Sequence, residues 1–193
     1  MKLRERSKLK KRYDTIFLDR DGTLNPDPGY ISKLSDFSFY NFAIPALVKL
    51  TQIGNRFCIV TNQSGVKRGL IQQESLDEIH SYIKTIFLEH NIPLVGIYVC
   101  IDLPNSASEK RKPETGMFLE ASNAHNIDLK KSLMIGDSVA DIEVGKKLNM
   151  NTLLVLTGDG KKTLKSLSQS TQPTFIEDNI YSFASNHVGV ISS

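Results

Sequence analysis

Cysteine, long apolar segments and N-terminal aromatic residues are scarce or absent in this 193-residue sequence. Its two cysteines, Cys58 and Cys100, exclude a disulfide framework. No segment approaches the roughly 20 apolar residues of a membrane-spanning helix, so we expect no membrane span. No apolar stretch follows the basic start of the chain, so we expect no secretory signal and a reducing, cytoplasmic location.

The size and composition are those of one α/β domain. Hydrophobic residues make up 40% of the chain and charged residues 23%, which argues against a disordered, fibrous or membrane-embedded protein. A single core at this length buries roughly 70% of the surface exposed by the unfolded chain. We therefore predict one domain at 13–193, preceded by a basic tail at 1–12, and we expect a monomer.

The net charge of +3 divides unevenly along the chain. Residues 1–12 hold seven Lys/Arg and one Glu, a net +6, which leaves 17 basic and 20 acidic residues, a net −3, for the rest. This pattern favours a solvated terminus, although a basic tail also suits nucleic acid or an anionic membrane. Because the tail has no aromatic residue to stack on bases, we do not expect nucleic acid to be a partner.

Apolar runs alternate with amphipathic stretches along the sequence. Period-2 or continuous apolar patterns predict strands at 13–18, 56–61, 95–101, 132–137, 152–157 and 174–178. Helical spacing predicts helices at 42–54, 72–91, 115–126, 139–149 and 179–187, with Gly54 ending the first. This order predicts a parallel sheet covered by helices on both faces, with its ligand site outside the carboxyl ends of the strands.

Polar side chains follow the first two predicted strands. Asp19 and Asp21 leave the first strand in the motif DRDGT, where one carboxylate can act as a nucleophile and the other as an acid and base. The alternative is a purely structural role, a loop capped by Asp side chains. Thr61 ends the second strand, where its hydroxyl could donate to a phosphoryl oxygen.

Two further strand exits carry charge. Lys112, held before a proline, can neutralise a phosphate, and Arg111 can clamp one with two hydrogen bonds; a surface basic pair is the alternative. Asp137 ends the fourth strand, and Asp141 lies one turn into the next helix. Both could face one hard cation, or Asp141 could simply cap the helix.

Taken together, these motifs resemble the haloacid-dehalogenase-like phosphohydrolase superfamily from about Asp14 to Gly160. The resemblance implies a three-layer, Rossmann-like core and a Mg²⁺-dependent phosphatase. Asp19 would form an aspartyl-phosphate, Asp21 would serve as acid and base, and Thr61 and Lys112 would stabilise the transferring group. The implied Mg²⁺ ligands are the Asp19 carboxylate, the Asp21 backbone carbonyl and the Asp137 carboxylate. The superfamily's dehalogenases lack the second Asp of the motif, so a phosphatase is implied.

The intervening loops narrow the resemblance further. The gaps from Thr23 to Thr61 and from Thr61 to Lys112 are filled by predicted elements, so we expect a capless core with an open site. The segments DRDGTLN, GYI, TNQSGVKRG and RKPETGM are similar to those of D-glycero-D-manno-heptose-1,7-bisphosphate phosphatases. This implies a sugar phosphate as substrate, with contacts from Asp27, Pro28, Gly29, Tyr30, Asn62, Gln63, Ser64 and Arg111. Histidinol-phosphate phosphatases share DRDGT and RKP and are an alternative.

The sequence departs from that family's pattern at two places. Many members hold a structural zinc with three Cys and one His before RKP, but this chain retains only Cys100 there, so we expect no structural zinc. Ser138 stands where the family commonly has Lys, which removes one positive charge near the phosphate. For His80, His90, His125 and His187 we expect surface or capping roles.

Two other classes of function are alternatives. A phosphatase for nucleic-acid ends would use the basic tail to recruit its substrate, and deleting residues 1–12 would then weaken a salt-dependent affinity. A binding module without catalysis is hard to reconcile with five residues that suit phosphoryl transfer: Asp19, Asp21, Thr61, Lys112 and Asp137.

Overall fold

The computed structural model describes residues 12–188. Its strands are β1 (Tyr13–Leu18), β2 (Gly54–Asn62), β3 (Leu94–Cys100), β4 (Leu133–Gly136), β5 (Asn151–Val155) and β6 (Phe175–Glu177). Its helices are α1 (Ala43–Leu50), α2 (Ser64–Lys67), α3 (Gln73–Glu89), α4 (Gly116–His125), α5 (Val139–Lys147), α6 (Gly160–Ser166) and α7 (Ile180–His187). The predicted tail lies outside these residues except for Arg12.

All six strands are parallel and lie in the order β3-β2-β1-β4-β5-β6. Alternate residues of β1 face opposite sides, so that Ile16 and Leu18 join one apolar cluster and Phe17 joins the other. Buried residues of α1, α3 and α7 complete the first cluster, whereas those of α4 and α5 complete the second. The predicted α/β fold, with helices on both faces of a parallel sheet, is confirmed.

The local predictions differ from the structure in a few places. Gly54 does not end the first helix: α1 ends at Leu50, and Gly54 begins β2 opposite Tyr13. The short α2 in the NQSGVKRG segment was not expected from the sequence. No inserted domain lies between β1 and α1 or between β2 and β3 among the described residues, in agreement with a capless core.

Cys58 and Cys100 are both buried free thiols, and Cys58 lies within β2 as predicted. Within residues 12–188, no helix combines the length and the apolar character needed to cross a bilayer.

Candidate active site

The sheet order brings the sequence-predicted catalytic residues to one edge. Because β2, β1 and β4 are adjacent and parallel, their carboxyl ends open on the same side. Asp19 follows β1, Thr61 lies near the end of β2, and Asp137 follows β4. All three line one cavity of about 480 Å³ together with Asp21 and Lys112.

The Lys112 ammonium is the hub of this site. Its side chain is 2% exposed, and its Nζ lies 2.7 Å from Asp19 Oδ1 and 2.7 Å from Asp141 Oδ1. It also donates to the Val60 carbonyl at 2.9 Å, so all three ammonium hydrogens have acceptors. The alternative interpretation of Lys112, as part of a surface basic pair, is therefore wrong.

Asp141 combines helix capping with this ion pair. It forms a capping box with Ser138, whose Oγ donates to Asp141 Oδ2 at 2.6 Å. The other oxygen, Oδ1, accepts from Lys112. Both oxygens are thus engaged within the protein, which favours Asp141 as a partner of Lys112. The contact with Lys112 joins residues 29 positions apart, and sequence reasoning missed it.

The centre contains three carboxyl groups, those of Asp19, Asp137 and Asp141, around the single ammonium of Lys112. Burial is the main reason that the pKa of Asp19 is raised to about 7; Lys112 opposes this rise and Asp141 adds to it. Burial likewise raises the pKa of Asp137 to about 8, with a further contribution from Asp19. Burial alone would lower the pKa of Lys112, but the charges of Asp141 and Asp19 raise it above its usual value.

Two glycines leave space for the Asp137 carboxylate. Gly22 and Gly158 both have positive φ, at 78° and 51°, and a Cβ at either position would overlap Asp137 Oδ2. That same oxygen accepts from the Asp159 backbone N–H at 2.7 Å. The turn at 157–160 therefore takes part in building the site.

The donor set suits a hard cation. Asp19, Asp137 and Asp141 each offer a carboxylate oxygen, and these oxygens lie within 4.8 Å of one another. Oxygen ligands and excess negative charge are what Mg²⁺ prefers. Since Asp141 is occupied by Lys112 and Ser138, the carboxylates of Asp19 and Asp137 are the better ligands.

Asp21 is held from several directions. Arg20 donates to both of its oxygens, from Nε at 3.0 Å and from Nη2 at 2.8 Å. Asn25 donates to Oδ1 at 2.9 Å, and Gln63 donates to Oδ2 at 2.6 Å. Gln63 also donates to the Thr61 hydroxyl at 2.9 Å, so it links the two catalytic candidates.

The sequence-predicted substrate contacts form the outer rim. Asp27, Gly29, Tyr30, Asn62, Gln63, Ser64 and Arg111 line the cavity, whereas Pro28 does not. Asn62 also exchanges two hydrogen bonds with the Lys112 backbone, at 3.1 and 3.2 Å, and so anchors the lysine to β2. Asn62 therefore has a structural contact beyond the one predicted from sequence.

Arg111 is positioned by the segment that follows β3. Its Nη1 donates to the Asp102 carbonyl at 2.9 Å, and its backbone N–H donates to Ser108 Oγ at 3.0 Å. Ser108 in turn donates to the Asp102 carboxylate at 2.7 Å, and Cys100 Sγ lies 3.6 Å from both side chains. The expectation that no structural zinc is bound here stays a prediction.

His80 departs from the surface or capping role expected for the histidines. It is 7% exposed, faces the core from α3, and its Nε2 lies 3.3 Å from Arg20 Nη1. Burial, with help from the positive charge of Arg20, lowers the pKa of His80 to about 4. Its helical spacing with Leu76, Ile79 and Ile83 was the signal that could have placed it inside.

Known proteins resemble this chain in sequence and in fold. A family model described as HAD-hydrolase-like matches residues 110–183. The D-glycero-beta-D-manno-heptose-1,7-bisphosphate 7-phosphatase of Photorhabdus laumondii is 36% identical over 74% of this chain and 80% of its own length. The protein of that name from Pasteurella multocida is 38% identical, over 80% of this chain and 91% of its own.

A solved structure agrees with these relatives. The D,D-heptose 1,7-bisphosphate phosphatase from B. bronchiseptica, complexed with magnesium and phosphate, superposes with a TM-score of 0.80 at 27% identity. The match covers 90% of this chain and 97% of that one. This chain therefore belongs to the haloacid-dehalogenase-like phosphatase family that includes the D-glycero-β-D-manno-heptose-1,7-bisphosphate 7-phosphatases.

Proposed function

We propose that this protein removes the 7-phosphate of D-glycero-β-D-manno-heptose 1,7-bisphosphate, with Mg²⁺ as cofactor, in the synthesis of heptose precursors. The observation that carries the proposal is the arrangement of Asp19, Lys112 and Asp137 around one cavity. The relatives of this chain support it, since they are named for that reaction. One chain supplies every residue of the site, so a monomer suffices. The two free buried thiols suit a reducing cytoplasm.

The first step is transfer of the phosphoryl group to the protein. A carboxylate oxygen of Asp19 attacks phosphorus, and the bond from phosphorus to the sugar oxygen breaks. Asp21 gives a proton to that oxygen as it leaves. The Lys112 ammonium, 2.7 Å from Asp19 Oδ1, offsets the charge of the phosphoryl group, and the Thr61 hydroxyl donates to one of its oxygens.

The second step releases phosphate. Asp21, now a carboxylate, takes a proton from water as the water oxygen attacks phosphorus. The bond between phosphorus and Asp19 breaks, which regenerates both carboxyl groups in their starting states. The hydrogen bonds from Arg20, Asn25 and Gln63 hold Asp21 beside the cavity through both steps.

Mg²⁺ would be held by the carboxylates of Asp19 and Asp137 and the backbone carbonyl of Asp21, and when bound it supplies positive charge that screens the nucleophile from the phosphate dianion. Gly22 and Gly158 leave space for the Asp137 carboxylate, and the Asp159 N–H donates to it, so that it is positioned for a cation. Asp141 keeps Lys112 in place from the opposite side.

The rim residues would read the sugar. Arg111 offers a guanidinium to the second phosphate, and Asp27, Tyr30 and Ser64 offer oxygen atoms to the hydroxyls. Pro28 and Gly29 would shape the same loop, in which Asp27 Oδ1 accepts from the Gly29 N–H at 2.8 Å. Asn62, the last residue of β2, and Gln63, which follows it, complete the contact set.

A phosphate-release panel tests the substrate. It compares the heptose 1,7-bisphosphate, fructose 1,6-bisphosphate, glucose 6-phosphate, histidinol phosphate and a 3′-phosphorylated oligonucleotide, each with Mg²⁺ and with EDTA. We expect the highest kcat/KM for the heptose bisphosphate, release of the 7-phosphate alone, and loss of turnover in EDTA. A higher kcat/KM for histidinol phosphate or the oligonucleotide would overturn the substrate assignment.

Replacement of the nucleophile tests the mechanism. Asp19→Asn keeps the side-chain volume but removes the attacking oxygen, so we expect turnover to fall at least about 10⁴-fold. Circular dichroism and thermal melting should report an intact fold. Asp36→Asn, at an exposed carboxylate that does not line the cavity, is the matched control and should retain full activity. Turnover by Asp19→Asn at a tenth of the wild-type rate would exclude the covalent mechanism.

A further inference from the structure

A buried guanidinium lies directly behind the proposed acid and base. The Arg20 side chain is 1% exposed, and each of its three nitrogen atoms has a partner. Nε and Nη2 donate to the two oxygens of Asp21, whereas Nη1 faces His80 Nε2 at 3.3 Å. Arg20 therefore bridges Asp21 and α3.

The charge of Arg20 determines which role His80 has in the hydrogen bond between them. Arginine is protonated throughout the working pH range and can only donate hydrogen bonds. His80 Nε2 must therefore accept, which places the ring proton on Nδ1. The lowered pKa of His80 agrees with a neutral ring at neutral pH.

The contact matters because Arg20 has a long, rotatable side chain. Its other two nitrogen atoms bind Asp21, the adjacent residue, which Asn25 and Gln63 hold in turn, so the contact with His80 is the one that ties the guanidinium itself to another described element. His80 belongs to α3, which packs into the core through Leu76, Ile79 and Ile83. The histidine is thus the point at which the guanidinium is tied to a rigid element.

We propose that His80 is a positioning residue for catalysis: by accepting a hydrogen bond from Arg20, it holds the guanidinium in the orientation that aims Asp21 at the leaving oxygen. This inference rests on the proposed function, since it takes Asp21 as the acid and base. It assigns a role to a buried histidine that does not line the cavity.

The test exploits the dependence of a general acid on the leaving group. The parameter kcat/KM reports formation of the phospho-enzyme, in which p-nitrophenolate leaves without help from an acid but a sugar alkoxide does not. We measure kcat/KM for p-nitrophenyl phosphate and for the best sugar phosphate of the panel. For His80→Leu we expect about a tenfold loss with the sugar phosphate and less than about a twofold loss with the aryl ester.

Two amide variants keep the test independent of packing. The Gln Oε1 reaches the position of His Nε2, whereas the Asn Oδ1 stops near Nδ1. We therefore expect His80→Gln to restore the sugar-phosphate rate and His80→Asn to resemble His80→Leu, a difference that survives even if the leucine variant does not fold. His90→Leu, at an exposed histidine just after α3, should leave both rates unchanged.

The outcomes separate the inference from the proposed function. Equal losses with both esters, or a glutamine variant no better than the asparagine variant, would overturn the positioning role of His80 while the wild-type chain remains active. A wild-type chain inactive on every ester would overturn the proposed function and the inference with it. A selective loss with the sugar phosphate, rescued by glutamine, would support both.

Discussion

Lys112 and Arg111 are neighbours in the chain, but their surroundings differ completely. Lys112 belongs to a buried centre formed with Asp19, Asp137 and Asp141, where its ammonium has three acceptors. Arg111 ends an outer loop, residues 101–111, in which most side chains are exposed. Its guanidinium is held by a single backbone carbonyl, that of Asp102.

The difference in burial agrees with the roles proposed for the two regions. Buried charges interact strongly and reorganise little, which suits a group that must stabilise a transferring phosphoryl. Charges nearer the solvent are screened, so each contact that they make contributes less energy. In the proposed function, reaction and specificity therefore fall to two adjacent residues, the buried Lys112 and the half-buried Arg111, and each can be perturbed separately.

Removal of the buried ammonium should have the largest effect. Lys112→Met leaves Asp19 and Asp141 without a counter-charge, so we expect kcat to fall about 10³-fold and the free energy of unfolding to fall by about 3 kcal/mol. Phosphate release and urea unfolding measure the two effects. Lys110→Met removes an exposed lysine paired with Glu120 and is the matched control. A kcat within threefold of the wild type would show that the buried centre is not catalytic.

The buried histidine should make stability depend on pH. The pKa of His80 is about 4 in the folded protein, whereas a histidine in the unfolded chain has its ordinary pKa of 6.5. Between these two values the unfolded chain therefore binds a proton that the folded chain does not. The free energy of unfolding should therefore fall as the pH decreases from about 6.5 to about 4, by up to about 3 kcal/mol from this group. Urea unfolding of the wild type and His80→Gln at pH 7 and pH 4.5 measures the difference. Parallel pH profiles for the two proteins would contradict the prediction.

Truncation of the half-buried Arg111 guanidinium should change recognition more than chemistry. Arg111→Ala loses a contact to the second phosphate, so we expect KM for the heptose bisphosphate to rise about tenfold, with kcat within about threefold. Steady-state kinetics measures both constants. Arg68→Ala, at an exposed arginine after α2, should change neither. A fall in kcat as large as that of Lys112→Met would remove the distinction between the two regions.

Replacement of Asp102, whose carboxylate accepts a hydrogen bond within the outer loop, should have the smallest effect. Asp102→Asn weakens the ion pair with Lys67 but retains an acceptor for Ser108 and the carbonyl that binds Arg111. We expect KM to rise less than about threefold with kcat unchanged, since exposed ion pairs contribute little. Steady-state kinetics of Asp102→Asn and Arg111→Ala, measured side by side, shows which variant has the larger rise in KM. An effect larger than that of Arg111→Ala would mean that the loop is held mainly by Asp102.

Much of the fold could be predicted because its signals are local. The apolar run Tyr13–Leu18 matches β1 at both ends, and α5 begins at Val139 as expected. The first helix was extended too far, to Gly54, because apolar spacing continues through Ile53 after the helix itself has ended at Leu50. Hydrophobic periodicity identifies which face is buried but not where the last helical hydrogen bond forms.

The candidate site was partly predictable for a related reason. Asp19, Thr61 and Asp137 each follow or end a recognisable strand, and parallel strands share one carboxyl edge, whereas Lys112 comes after the loop 101–111 that follows β3. The pairing of Lys112 with Asp141 and the contact of Arg20 with His80 were not predicted. They join residues 29 and 60 positions apart, and no local pattern encodes such contacts.

By itself, the sequence determined the alternation of strands and helices and the residue types available for phosphoryl transfer, because periodicity and motif spacing are properties of neighbouring residues. Only the tertiary structure decided which charges neutralise one another. Burial and distance determine whether a carboxylate is a nucleophile, a ligand or the partner of a lysine, and both depend on how the six strands are ordered. The same packing turned His80 from an expected surface residue into the buried partner of Arg20.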